Sequence, residues 1–425
     1  MLLAMFATFL IHVLIGLPLF LALISTAIVG FSFIDLSLLP RMLPQQFFGG
    51  IDAFSLMAIP LFVLAGTLMN ATGMTERLMT LARAMVGHLR GGLGYVNVVS
   101  SVFFAGVNGS AVADTSALGS LLVPAMRKEG YSTSYAAGLT AGSSLIGPII
   151  PPSIFMILYA SLTNTSVGDL FLAGVIPGLL LGLAFMIMNW VHVRRHGITA
   201  TGEKPTPLKV IKAVWGALPA LIAPFLIVFG IVLGFVTPTE SGVLIVTYVA
   251  LLGLINRELS LKRLWQALGE TARLTSAIFM IMAAASVVSW LLSYAQVPAQ
   301  FAMMLTPFTD NPLLILVMLS LITFVTGMFM EEVSALMLLT PIFLPIATQA
   351  GIDPIHLGII ITLNITIALI TPPMGACVFV AAAVSRLEIT TLFRTIWPFV
   401  LVAIAVLGLL ILMPEMVLFL PNLMS

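Results

Sequence analysis

Gly147-Pro148-Ile149-Ile150-Pro151-Pro152-Ser153 interrupts an apolar stretch that otherwise runs from residue 132 to residue 164. Three prolines in five positions remove three amide donors and clash with carbonyls one turn back, so no continuous helix crosses this segment. In hydrocarbon each unpaired backbone group costs several kcal/mol, so a break at membrane depth must be buried in protein or line a water-filled cavity. A second break, Ile370-Thr371-Pro372-Pro373-Met374-Gly375, repeats the Pro-Pro pair 221 residues later. One such pair is commonly a kink repaired by its neighbours; two at matching positions point to a paired device.

The same offset extends outward without a gap. Gly106 falls on Gly327, Pro124 on Pro345, Gly130 on Gly351 and Ile146 on Ile367. Leu17-Pro18 falls within a residue of Thr237-Pro238, which predicts two short helices in 1–32 with a cytoplasmic turn between them and the N-terminus outside. That first run lacks a basic start and a small-x-small cleavage site, so it is expected to be structural and not a signal peptide. Ahead of each break lies a segment with a polar, glycine-bearing tip: Phe104-Ala105-Gly106-Val107-Asn108-Gly109-Ser110-Ala111-Val112-Ala113-Asp114 and Gly327-Met328-Phe329-Met330-Glu331-Glu332-Val333-Ser334. A first limb of about 13 residues reaches about 20 Å, past mid-membrane and no further.

With 60% hydrophobic and 8% charged residues in 425, the chain is a membrane protein. Apolar runs at about 1–32, 50–70, 132–164, 168–193, 213–236, 239–255, 274–296, 354–385 and 394–420 have roughly the ~20-residue scale of a spanning helix. If each crosses once and 95–126 and 312–349 enter and return as re-entrant hairpins, sixteen of the 17 basic residues, Lys204 and Arg273 among them, fall on one side and only Arg41 on the other. Asp35, Asp52, Asp169, Glu240, Asp310, Asp353 and Glu415 fall on the side of Arg41. Positive residues mark the cytoplasm, and the two hairpins then open to opposite sides, making the halves an inverted repeat. Arg77, Arg83, His88 and Arg90 are expected to mark a helix lying on the inner surface.

A net charge of +1 without a basic cluster excludes nucleic acid as partner. The lone Cys377 excludes disulfides and thiolate clusters, and the five histidines have no metal-ligand spacing. No phosphate-cradling Walker motif is present, so work against a gradient must draw on another gradient. Inverted repeats with broken helices at their centre are the pattern of secondary transporters: helix C-termini offer carbonyls to a cation such as Na⁺, and helix N-termini suit an anion. Asp114, Glu331 and Glu332 are the ionisable residues at membrane depth and are functional candidates for that reason. Asp114, and either Glu331 or Glu332, could equally cap the second limb of a hairpin; Cys377 and the 24 methionines are expected to be packing residues.

Phe104-Ala105-Gly106-x-x-Gly109-Ser110-Ala111-x-Ala113-Asp114, then Pro124-Ala125-Met126-x-Lys128-Glu129-Gly130-Tyr131, then Gly147–Ser153 resemble the large membrane subunit of tripartite ATP-independent periplasmic (TRAP) transporters. Ile59–Gly66 and Val86–Gly92 carry the resemblance over nearly the whole chain. It implies an all-α polytopic fold like that of the ion-transporter superfamily, working as an elevator. Residues 1–92 would be scaffold and cytoplasmic arm, 93–165 transport hairpin 1 with its broken helix, 166–311 scaffold and arm, 312–385 transport hairpin 2 with its broken helix, and 386–425 a C-terminal scaffold helix. It also implies a bacterial inner-membrane location, a small four-helix membrane subunit, a soluble periplasmic substrate-binding protein, an organic-acid substrate such as a dicarboxylate or sialic acid, and Na⁺ as the coupling ion, with no other cofactor and no enzymatic activity.

Carried over by position, the first sodium site would use Asn108, Ser110, Ser144, Gly147 and Ile150, and the second Gly327, Met328, Glu331, Thr366, Thr371 and Met374. Ser110, Asp114, Ser144 and Thr371 would meet the substrate, and Pro148, Pro151, Pro152, Pro372 and Pro373 would make the breaks. The resemblance is weaker at Asn108, where many relatives have Ser, and at Glu331-Glu332, where many have Asp. No arginine lies in either tip or break, so an anion would rely on hydroxyls, amides and helix N-termini. A stand-alone sodium/anion symporter of the same fold is the nearest alternative. An intramembrane hydrolase using Asp114 with Glu331 would leave the duplicated breaks unexplained, and a passive channel would not need hairpins closed from opposite sides.

Overall fold

The computed structural model describes residues 1–199, 206–305 and 311–424, with the backbone alone described at 107, 108, 301, 302, 304 and 305. Lys204, Asp310 and the side chain of Asn108, all used above, lie outside what is described. Among the described residues all regular structure is helical. The first half runs α1 (Leu2–Leu14), α2 (Leu19–Ser32), α3 (Leu39–Gly49), α4 (Ala58–Ala71), α5 (Met74–Val86), α6 (Gly92–Asn108), α7 (Ala111–Lys128), α8 (Thr133–Ser143), α9 (Ile154–Thr163) and α10 (Val167–His196). The second half runs α11 (Pro207–Val232), α12 (Pro238–Ile255), α13 (Leu261–Tyr294), α14 (Val297–Leu305), α15 (Pro312–Gly327), α16 (Glu332–Gln349), α17 (Pro354–Ala368), α18 (Ala376–Ser385), α19 (Ile389–Thr395), α20 (Trp397–Leu412) and α21 (Pro414–Met424).

Residues 1–32 form two helices, as the sequence predicts. Gly16, at φ +81° in a region only glycine enters cheaply, and Pro18 at the start of the next helix separate them. The pairs α6–α7 and α15–α16 pack limb against limb, and α7 shifted by the sequence offset coincides with α16. Both breaks are present: α8 stops at Ser143 and α9 starts at Ile154, while α17 stops at Ala368 and α18 starts at Ala376. The Pro151–Pro152 and Pro372–Pro373 bonds are both cis.

The halves interlock. α7 packs against α8 of its own half and against α18 of the other, and α16 packs against α17 and against α9. The long α13 runs beside α2, α4 and α16. Among the described residues six helices are long and apolar enough to cross a membrane singly, and counting each of two bent pairs as one span gives up to eight.

The C-terminal region departs from the single helix expected over 386–425. It is α19, α20 and α21, with a bend of 62° between the last two. Pro414 forbids helical geometry at Met413, which sits at φ −127° and ψ 73°. α5 carries Arg77 and Arg83 and buries Leu78, Leu81 and Ala82, packing on α11, but His88 and Arg90 lie beyond its end. α3 and α14 were not visible as helices in the hydrophobic pattern; α3 contains Pro40 and Pro44.

Candidate functional site

Four helices begin at the tips and breaks, and each start has a local cause. Ser110, in extended conformation, caps α7: its Oγ accepts from the Ala113 amide at 3.4 Å. Ser153 caps α9, accepting from the Met156 amide at 3.4 Å and donating to the Pro148 carbonyl at 2.5 Å, which closes the first break on itself. Glu331 caps α16: its Oε2 accepts from the Ser334 amide at 3.0 Å and the Ser334 hydroxyl at 3.4 Å. Gly375 precedes α18, and a Cβ there would stand 2.9 Å from the Leu369 carbonyl oxygen, so the second break demands glycine.

The caps separate roles that the sequence left open. Ser110, not Asp114, is the cap of α7; Asp114 lies one turn in, fully buried. Of the tandem glutamates, Glu331 is the cap. Glu332 is the first residue of α16, and its Oε2 is buried without a hydrogen-bond partner.

Around the first break, Ser110, Asp114, Ser144 and Gly147 come together. A Cβ on Gly147 would stand 2.8 Å from Asp114 Oδ2, 3.2 Å from the Ser144 carbonyl oxygen and 3.6 Å from the Ser110 carbonyl carbon. Ser144 Oγ lies 2.6 Å from Thr115 Oγ1 and donates to the Ala141 carbonyl at 2.8 Å. Cys377, from the other half, is fully buried beside Thr115 and Ser144. Gly109, at φ +57°, brings the hairpin tip onto the break: a Cβ there would be 2.8 Å from the Pro152 carbonyl oxygen. Ile150 turns its side chain away onto Gly178 of α10.

Around the second break, Gly327, Glu331, Glu332 and Met374 line a cavity of about 290 Å³. Met328 ends α15. Thr366 and Thr371 are buried and donate to the carbonyls of Thr362 (2.6 Å) and Ile367 (2.8 Å). A buried amide locks hairpin limb to broken helix in each half. Asn97 donates to Thr140 Oγ1 at 2.6 Å, and Asn364 donates to Ser320 Oγ at 2.8 Å.

A larger cavity, of about 560 Å³, opens between the two tips and the helices α4 and α13. Ser110, Glu331 and Glu332 face it from the tips, and Asn70 and Glu270 from the opposite wall. The first turns of α7, α9 and α16 all border it. No lysine or arginine among the described residues lines it, in keeping with the sequence. Asp114, Ser144 and Thr371, expected at the substrate, line neither cavity. Thr115, Asn70 and Glu270 were not singled out from the sequence: Asn70 closes an apolar run and Glu270 sits among cytoplasmic cations, and only packing brings them to the tips.

Helical hairpins seated on broken helices, with six helices among the described residues long and apolar enough to cross, define a multi-pass membrane transporter. The family described as "Tripartite ATP-independent periplasmic transporter, DctM component" matches residues 3–416, and the chain belongs to it. It is 37% identical over 409 residues to the sialic acid TRAP transporter large permease protein SiaM of Vibrio cholerae, covering 96% of this chain and 95% of that protein. It is 36% identical over 404 residues to the 2,3-diketo-L-gulonate TRAP transporter large permease protein YiaN of Escherichia coli, covering 95% of each. It is 36% identical over 386 residues to the C4-dicarboxylate TRAP transporter large permease protein DctM of Pseudomonas aeruginosa, covering 90% of each. The fold is shared with the Alcanivorax borkumensis YdaH transporter, at a TM-score of 0.65 and 16% identity over 95% of this chain and 97% of that one.

Proposed function

We propose that the chain is the translocating subunit of a sodium-coupled importer of a small organic acid in a bacterial inner membrane. The observation that carries this is the 560 Å³ cavity where helix N-termini of α7, α9 and α16 meet two buried-edge carboxylates. Helix N-termini attract an anion, but Glu331 and Glu332 repel one until cations neutralise them. Sodium ions bound near Asp114 with Ser144 and Gly147, and near Glu331 with Gly327 and Met374, would supply that neutralisation and order the tips. Anion binding then depends on sodium, which is symport by electrostatics.

The hairpins, breaks and the helices that interlock them would move as one unit against α2, α4, α11, α12 and α13, an elevator built on an inverted repeat. Relatives are named for sialic acid, 2,3-diketo-L-gulonate and C4-dicarboxylate, all organic acids, so the substrate class carries over although the particular acid does not. Membership of a tripartite family supports a soluble substrate-binding protein and a small membrane subunit as partners.

The test is uptake into liposomes holding the chain with its small subunit, fed by the loaded binding protein, with inward gradients of Na⁺, K⁺ or choline. Uptake in Na⁺ alone supports symport. Equal uptake in all three overturns it, and uptake without the binding protein favours the stand-alone symporter.

A further inference from the structure

On the side that the basic residues mark as cytoplasmic, the loop after α5 meets the end of α10 and leaves a cavity of about 710 Å³. Arg90 enters it from the loop and Arg194 from α10, with Tyr95 and Trp190 beside them and Leu89 and Ile198 on its apolar wall. The guanidinium of Arg194 stacks 4.1 Å above the Trp190 ring. Among the described residues no carboxylate lines the cavity and the one ion pair is Arg77–Glu258, so neither Arg90 nor Arg194 is ion-paired to a described carboxylate. The wall is built tightly: Tyr131 donates to the Gly91 carbonyl at 2.7 Å, and a Cβ on Gly91 would run 2.2 Å from a Val193 methyl.

Below Arg194 on the same face of α10, Trp190, Ile187, Leu183 and Leu179 are 46%, 54%, 54% and 51% exposed. Their spacing of three to four residues makes one stripe along the helix. From Trp190 to Leu179 the helix rises about 16 Å, close to half of the roughly 30 Å hydrocarbon core. Two arginines with no ion pair among the described residues, at a tryptophan-marked boundary above an exposed apolar track one leaflet deep, match both ends of a phospholipid.

We propose that this is a binding site for an anionic phospholipid, its phosphodiester held by Arg90 and Arg194 and one acyl chain lying along the α10 stripe. Inorganic phosphate would satisfy the arginines and leave the stripe uncovered. A zwitterionic lipid would cover the stripe and carry its own cation to the arginines.

The experiment is native mass spectrometry and thermal unfolding of the full, delipidated chain with phosphatidylglycerol, phosphatidylcholine or inorganic phosphate added. Phosphatidylglycerol should be retained in preference and raise Tm. Retention should fall about fivefold for each arginine removed, in Arg90→Gln and Arg194→Gln. Trp190→Leu, which keeps both charges, should lose about two- to fivefold through stacking alone. Arg127→Gln/Lys128→Gln, equally basic but outside the cavity, should behave as wild type. Equal retention of the two lipids, equal retention by the double arginine variant, or a Tm rise with phosphate as large as with phosphatidylglycerol would each overturn the site. So would displacement of the lipid when the small subunit is added, because that face would then belong to the subunit.

Discussion

Gly147 lies directly against the carboxylate of Asp114, so close that a methyl group on it would stand 2.8 Å from Oδ2. The other near atom is the Ser144 carbonyl oxygen, which is backbone and cannot swing aside. Gly147→Ala should therefore destabilise the chain by about 1–3 kcal/mol and abolish sodium-dependent uptake. Gly119→Ala, on the same helix as Asp114, meets nothing nearer than 3.4 Å and should be neutral or gain about 0.5–1 kcal/mol from helix propensity. Thermal unfolding of the two variants side by side checks both signs.

Ser153 both caps α9 and holds the Pro148 carbonyl. Ser153→Ala should cost about 1–2 kcal/mol, while Ser153→Thr, which keeps the hydroxyl, should recover most of it. If alanine and threonine unfold at the same temperature, the hydroxyl is not what holds the break.

Glu270 is exposed on the wall opposite the tips. Glu270→Gln should change stability by less than about 0.5 kcal/mol and slow uptake. A Tm drop in step with the uptake loss would assign the residue to packing instead.

Glu332 brings a buried oxygen without a partner to the second cavity. If sodium binds as proposed, sodium chloride should raise Tm over choline chloride, and Glu332→Gln, which removes the charge while keeping the shape, should shrink that rise. Glu388→Gln, outside both cavities, should leave that rise intact.

Asp35, in the loop after α2, accepts from the Ser37 amide at 2.8 Å, and that bond holds its carboxyl below the usual range. A depressed acid contributes stability above its unfolded value and loses it as pH falls through the folded one. The Tm difference between wild type and Asp35→Asn should thus be largest near neutrality and vanish well below about pH 4. A difference that grows in acid would contradict the capping role.

Much of this was legible along the chain because the signals are local. Pro151-Pro152 and Pro372-Pro373 announce the breaks by chemistry alone, and the glycines at 106 and 327 announce tips. Contacts between residues far apart along the chain were not legible. Nothing in the neighbourhood of Cys377 says that it lies beside Thr115, and nothing near Glu270 says that it faces Glu332. The capping assignments needed backbone geometry, since Ser110 and Asp114, or Glu331 and Glu332, are chemically interchangeable as caps until φ and ψ are known. The turn at Met413 was hidden because Pro414 sits in a run apolar enough to pass for one helix.

The crossing of α18 onto α7 and α8 sets an order on biosynthesis. Residues 111–143 leave the ribosome some 230 residues before α18 is made. Until then the groove that Cys377 and its neighbours fill is open, and Thr115 and Ser144 have only each other and their own backbone to bond with. The first half of the chain cannot reach its final packing alone, so truncations ending before residue 385 should be degraded, not retained as inactive half-transporters.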